Sequence, residues 1–119
     1  MKRIDFGYYA ESFVCRYLEE NGYSLVRRNY RADGGETDII AQYGKYICFV
    51  EVKYRTSGLG LETAIDRKKQ RRIIRSAEHF LRKSGCMLQP RFDAAFVSSC
   101  GEEDFSLEYI PNAFDGSGI

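Results

Sequence analysis

Two apolar runs, Ile39-Ile40-Ala41 and Tyr46-Ile47-Cys48-Phe49-Val50, stand on either side of Gly44-Lys45. No other stretch limits the fold as tightly. Glycine at the first position of a two-residue loop suits a type II′ turn, so residues 35–55 read as a β-hairpin. Counting outward places Tyr43 opposite Tyr46, Ile40 opposite Phe49 and Asp38 opposite Glu51. Opposed residues on one face hold their Cβ atoms about 5 Å apart. Side chains alternate with a period of two, so Phe49, Glu51 and Lys53 share a face. A three-residue loop would move every one of these partners.

The hairpin is thus expected to gather two acids and a lysine at one end of two apolar strands. Directly opposed like charges are unfavourable on a sheet. A hard divalent cation offsets them best. Magnesium takes one or two protein carboxylates, keeps several waters and accepts phosphate oxygens as further ligands. A neighbouring ammonium stabilises charge that builds up when a phosphate is attacked. The plain alternative is a solvated strand end, because acid-x-Lys is a common tripeptide. Against it, Glu51 and Lys53 follow an almost wholly apolar run.

Upstream, Phe6, Tyr9, Ala10, Phe13, Val14, Tyr17 and Leu18 recur at helical spacing and predict a helix over 5–20, stopped by Asn21-Gly22. Glu11 lies on the flank of that stripe, within reach of a site at the sheet's edge or simply in solvent. Tyr23 to Tyr30 predicts a strand, and Arg31 to Gly35 a turn. Downstream, Thr56 to Gly60 is a glycine-containing loop, either a cover or a connector. A second helix begins between Leu61 and Arg67, capped by Thr63 or Asp66, and runs to about Lys83. Its stripe is Ile73, Ile74, Ala77, Phe80 and Leu81, prolonged by Gln70 where an apolar residue is expected. Its other face carries Arg67, Lys68, Lys69, Arg71, Arg72 and Arg75 with no acid between Asp66 and Glu78. Solvated helix faces usually mix signs, so this one suits successive phosphates. Residues 91–98 predict a buried strand and 106–110 a last one closed by Pro111, before a tail over 112–119.

This order predicts a single α/β domain over 1–119: a mixed central sheet flanked by helices in three layers. At 119 residues the chain can bury somewhat over 60% of its unfolded surface, enough for one core. The net charge of +1, from 18 basic and 17 acidic side chains, does not by itself advertise nucleic acid. Cys15, Cys48, Cys86 and Cys100 follow no CxxC spacing and His79 is the sole histidine, so no zinc template fits. The thiols read as reduced, in a cytoplasmic protein. No apolar run nears the roughly 18 residues of a membrane span, and no signal peptide is read at the start.

Gly35-Glu36-Thr37-Asp38 followed by Phe49-Val50-Glu51-Val52-Lys53-Tyr54-Arg55 resembles the restriction-endonuclease-like PD-(D/E)XK pattern. Thr37 stands where that pattern has proline, and the acid Glu36 precedes it. Gly7 with Ala10-Glu11, Gly22-Tyr23, Arg28-Asn29-Tyr30-Arg31, Lys69-Gln70, Arg91-Phe92-Asp93 and Asn112-Ala113-Phe114 are similar to the small YraN-like bacterial family. That family is assigned to the same nuclease fold, with similarity to archaeal Holliday junction resolvases. The resemblance covers nearly the whole chain. It implies metal ligands at Asp38 and Glu51, a catalytic lysine at Lys53, an assisting acid at Glu11, and an auxiliary polar position at Gln70 with Lys69.

Together these readings predict an Mg²⁺- or Mn²⁺-dependent endonuclease acting on DNA, selective for structure such as junctions and serving repair or recombination. The backbone carbonyl of Val52 adds a metal ligand, for one ion or two. Arg31, Arg55 and the basic helix hold the phosphate backbone, which carries no base information. The rival reading is a non-catalytic nucleic-acid-binding module that recruits a partner. A homodimer is a further expectation, since a four-way junction has two-fold symmetry.

Overall fold

The structure, a computed structural model, describes residues 3–55, 65–99 and 104–116. Its elements run α1 (Arg3–Glu20), β1 (Ser24–Ala32), β2 (Gly35–Tyr43), β3 (Tyr46–Arg55), α2 (Arg67–Ser84), β4 (Gln89–Ser99) and β5 (Phe105–Phe114). The five strands lie in chain order in one sheet. Every pairing is antiparallel except β3–β4, which are parallel. Parallel neighbours need a crossover, and α2 provides it.

Strand alternation divides the core between the two helices. Ile40, Ile47, Phe49, Phe92, Ala94 and Phe96 pack with Ile73, Ile74, Ala77 and Phe80 of α2. Ile39, Ala41, Cys48, Val50, Ala95 and Val97 pack with Ala10, Val14 and Leu18 of α1. The mixed three-layer α/β domain is therefore present as expected. The turn is as expected too: Gly44 has φ +56° while Lys45 stays out of the left-handed region. Tyr43 faces Tyr46 and Ile40 faces Phe49.

Several boundaries differ. The first hairpin closes on Asp33-Gly34, both at positive φ as a type I′ turn requires. Strand β1 therefore extends to Ala32 rather than ending at Tyr30. Strand β5 runs through Pro111 to Phe114 instead of stopping there. It is an edge strand, so a residue without an N–H costs no ladder bond on its open side. Asn112 to Phe114 thus belong to the sheet. The cap of α2 is Asp66, whose carboxylate accepts the Lys69 N–H at 2.8 Å. Thr63, the 56–60 loop, Cys100 and 117–119 lie outside the described residues. Tyr9 was expected in the α1 stripe but stays 47% exposed. Phe13 and Tyr17 on the same flank lean on Phe105 and Tyr109 of β5. Tyr9's ring contact is instead the adjacent Tyr8.

At the turn end of β3, fully buried Asp93 is held by Arg91 through two 2.9 Å bonds. The Tyr109 hydroxyl and the Asn112 N–H also donate to it. This cluster braces β4 against β5 on the α1 face of the sheet, whereas Glu51, one residue beyond the Asp93 partner Val50, faces α2. Among the described residues, no helix is long and apolar enough to cross a membrane.

Candidate active site

The ladder between β2 and β3 stops at Ile39–Val50. Extrapolated one step on the same side, it would pair Val52 with Thr37. Instead the Val52 N–H donates to Asp38 Oδ2 at 2.8 Å. Continued by one residue, the register sets Asp38 across from Glu51 as expected, but the ladder ends there because a side chain has replaced the backbone partner of Val52. Strand β2 breaks its own alternation at the same point. Thr37 meets Ser76 of α2 at 2.6 Å, yet Ile39, two residues on, packs toward α1. Asp38 lies at that reversal and reaches sideways to β3. By register Asn29 stands across from it on β1, with φ +53°, a left-handed conformation that asparagine tolerates.

This irregularity brings the acids together. Asp38 and Glu51 lie within hydrogen-bonding reach of each other. Glu51 is 5% exposed. Its Oε2 faces the Lys69 ammonium at 3.1 Å, while its buried Oε1 has no hydrogen-bond partner. Burial, then the Asp38 charge, pushes the Glu51 carboxyl up to about 8 despite Lys69. Burial also raises Asp38, against the Val52 N–H, Glu51 and Lys69. For Lys69, burial works against its charge, but Glu51, Asp38 and Glu36 hold its proton more tightly than usual. Each carboxyl of the pair is thus harder to ionise than a free one, and the two titrate together.

Glu51, Val52, Lys53, Tyr54, Ile65, Asp66 and Lys69 line one cleft of about 320 Å³. Lys53 is therefore beside Glu51. Glu11 comes from α1: its Oε1 accepts from Arg28 and Asn29, each at 3.3 Å. Burial and then the Asp38 charge raise its carboxyl, which places it within the field of the pair. Gln70 is differently engaged. Its amide donates to the Ile65 carbonyl at 2.7 Å, and its side chain lines a separate cleft with Phe96 and Phe114. Glu36 is held between Arg31 at 3.4 Å and Arg72 at 3.3 Å. Gly35 packs so closely on α2 that a Cβ there would stand 2.0 Å from the Arg72 carbonyl oxygen. Arg67, Lys68, Arg71 and Arg75 are exposed along α2. The side chain of Arg55 lies outside the described residues.

Two contacts were not anticipated: Lys69 directly on Glu51, and Arg28 on Glu11. The Asp66 cap places Lys69 in the first turn of α2, which is a readable signal. Arg28 stands in the Arg28-Asn29-Tyr30-Arg31 stretch that carries the family resemblance, but spacing gives it no link to Glu11.

Among the described residues, no three His, Cys, Asp or Glu side chains gather as a metal-ligand group. The donor set is two carboxylates plus the Val52 carbonyl. That carbonyl points the same way as its own N–H, toward Asp38. Few carboxylates with water completing the shell suit Mg²⁺ or Mn²⁺ rather than zinc. The unpartnered Glu51 Oε1 fits such an ion.

Fold and site define a three-layer α/β domain in which a buried and a half-buried carboxyl meet where the ladder of its central hairpin ends. Residues 10–97 match the model of the uncharacterised protein family UPF0102, and the chain belongs to that family. It is 39% identical to a UPF0102 protein of Hahella chejuensis over 118 residues, 96% of this chain and 93% of the relative. It is 41% identical to one of Geobacter metallireducens over 109 residues, 89% of this chain and 88% of the relative. With one of Alkaliphilus metalliredigens the identity is 43% over 112 residues, 91% of this chain and 96% of the relative.

Proposed function

We propose that this domain is a divalent-metal-dependent endonuclease that cleaves DNA phosphodiester bonds, with a preference set by DNA structure rather than base sequence. One observation carries the reading. The buried Glu51 carboxyl is held against the half-buried Asp38, and one oxygen of Glu51 has no protein partner. The Lys69 ammonium offsets one charge of the pair, and a bound cation would offset the second. Asp38, Glu51 and the Val52 carbonyl would hold Mg²⁺ or Mn²⁺. The ion supplies Lewis-acid polarisation of the phosphate and a more acidic bound water.

The chain's own residues do the rest. Lys53 faces the cleft, where its ammonium orients the attacking water or stabilises charge on the phosphate oxygens. Lys69 neutralises Glu51 and adds a second ammonium to the same cleft. Glu11 fixes Arg28 and Asn29 beside Asp38. Gln70 secures the Ile65 carbonyl at the cleft's rim and so acts as a positioning residue. Arg31 and Arg72 line an adjoining open cleft. Arg67, Lys68, Arg71 and Arg75 extend a basic track along α2 that tracks phosphates without reading bases.

The test is cleavage of branched, single-stranded and duplex DNA with Mg²⁺ or Mn²⁺. Glu51→Gln and Lys53→Ala are each expected to lower the rate by about a hundredfold or more, the scale for removing one charge-stabilising group. Undiminished cleavage in either variant contradicts the assignment. The exposed α2 face supports a second reading, a nucleic-acid-binding module without catalysis. It is distinguished by salt-dependent DNA binding in wild type with no cleavage under any metal.

A further inference from the structure

Helix α1 carries two large rings in solvent: Tyr8 is 61% exposed and Tyr9 47%. Isolated exposed tyrosines need no explanation, but Tyr8 is neither isolated nor far from the acid pair. The Arg28 guanidinium carbon lies 5.4 Å from the Tyr8 ring centroid. The same guanidinium reaches Glu11 Oε1 at 3.3 Å and Ser12 Oγ at 3.5 Å. Residues three and four apart share a helix face, so Tyr8, Glu11 and Ser12 form one surface. Glu11 in turn accepts from Asn29 at 3.3 Å, and Asn29 stands across from Asp38 in the β1–β2 register. Tyr9 braces the ring edge-on, with centroids 5.6 Å apart at 72°. A flat aromatic surface is thus oriented by two neighbours and set one arginine away from the site.

We propose that Tyr8, with Arg28 beside it, is a stacking platform for an unpaired nucleobase next to the carboxylate pair. The substrate class is then a strand with unpaired nucleotides at the point of attack: a single strand, a flap or the opened arm of a branch. The chemistry is specific. An aromatic ring stacks on any base whose face is free, and the neighbouring guanidinium suits the phosphate of the same nucleotide. In a continuous duplex both faces of each base are already covered by their neighbours, so the ring has nothing to gain there. This proposal rests on the nucleic-acid side of the reading above, and its test omits metal so that catalysis is not required.

The measurement is fluorescence anisotropy in EDTA with a labelled single strand, a flap and a blunt duplex of the same sequence. The proteins are wild type, Tyr8→Ala and Tyr8→Phe. Tyr8→Ala is expected to weaken single-strand and flap binding by between about fivefold and a hundredfold, the effect of losing one base–aromatic stack. Its effect on the duplex is expected to stay under about twofold, since contacts there go to phosphates. Tyr8→Phe keeps the ring and is expected to bind as wild type. One abasic position in the single strand should weaken wild type by the same factor and Tyr8→Ala no further. Equal loss on strand and duplex, or no loss on either, overturns the platform. Wild type that binds no DNA overturns both the platform and the nuclease reading. The expected pattern in a protein that never cleaves leaves the platform standing and removes the nuclease.

Discussion

Arg91→Met is expected to destabilise the fold by about 3–5 kcal/mol, read as a lowered urea midpoint at unchanged slope. Asp93 is fully buried, and Arg91 is its cationic partner, with a side chain only 12% exposed. The substitution leaves Asp93 with the Tyr109 hydroxyl and the Asn112 N–H but no compensating charge. It also removes a cation that lies 4.9 Å from the Tyr46 ring centroid and donates to the Tyr23 hydroxyl at 2.8 Å. Hydrogen bonding to Asp93 outweighs burial and holds the proton of Arg91 above the usual range. The double variant Arg91→Met with Asp93→Leu is expected to lose less than the sum of the single changes. An apolar pair of similar bulk leaves no unpaired charge behind. Equal additive losses would mean that the two side chains do not act as a unit.

Glu51 makes the second large prediction, and its direction is opposite to that of most carboxylates. Its folded value is raised from 4.5 to about 8 by burial and then by Asp38. Between those values the unfolded chain releases the proton while the native protein retains it. The contribution of Glu51 to stability is therefore fully present below about pH 4.5 and is lost as pH rises toward 8. At about 1.4 kcal/mol per unit the loss is on the order of 5 kcal/mol. The measurement is the urea midpoint from pH 5 to 9 in EDTA. Wild type should weaken steadily over that window. Glu51→Gln, which keeps the shape and cannot ionise, should be nearly flat. Millimolar Mg²⁺ should flatten wild type as well, because a cation stabilises the ionised pair. A wild-type curve unaffected by either change contradicts the raised titration of Glu51 beside Asp38.

Much of this architecture is legible in the residues themselves. Gly44-Lys45 sets the register of β2 and β3, and apolar spacing marks both helices and the split of the core between them. Local chemistry names the Asp66 cap among two candidates. Two kinds of feature stay hidden. One is where a ladder ends: the period along 35–41 does not reveal that β2 reverses at Asp38 and lends its carboxylate to the Val52 N–H. The other is contact between distant segments. Lys69 looks like one cation among the six between Asp66 and Glu78, and only the packing of α2 on β3 singles it out for Glu51. Likewise Arg91 and Asp93 sit in a stretch that reads as buried strand, and their charges make sense only once β5 closes over them. Pro111 misleads for a related reason, since its cost depends on whether the strand is an edge.

Titrating Mg²⁺ or Mn²⁺ into the protein by calorimetry at pH 7, in two buffers of different ionisation heat, tests the carboxylate pair as a cation site. Wild type should bind and release close to one proton as Glu51 ionises, while Asp38→Asn and Glu51→Gln should lose both the binding and the release. Binding that survives in Glu51→Gln, or wild type that binds no divalent ion at all, would contradict the account.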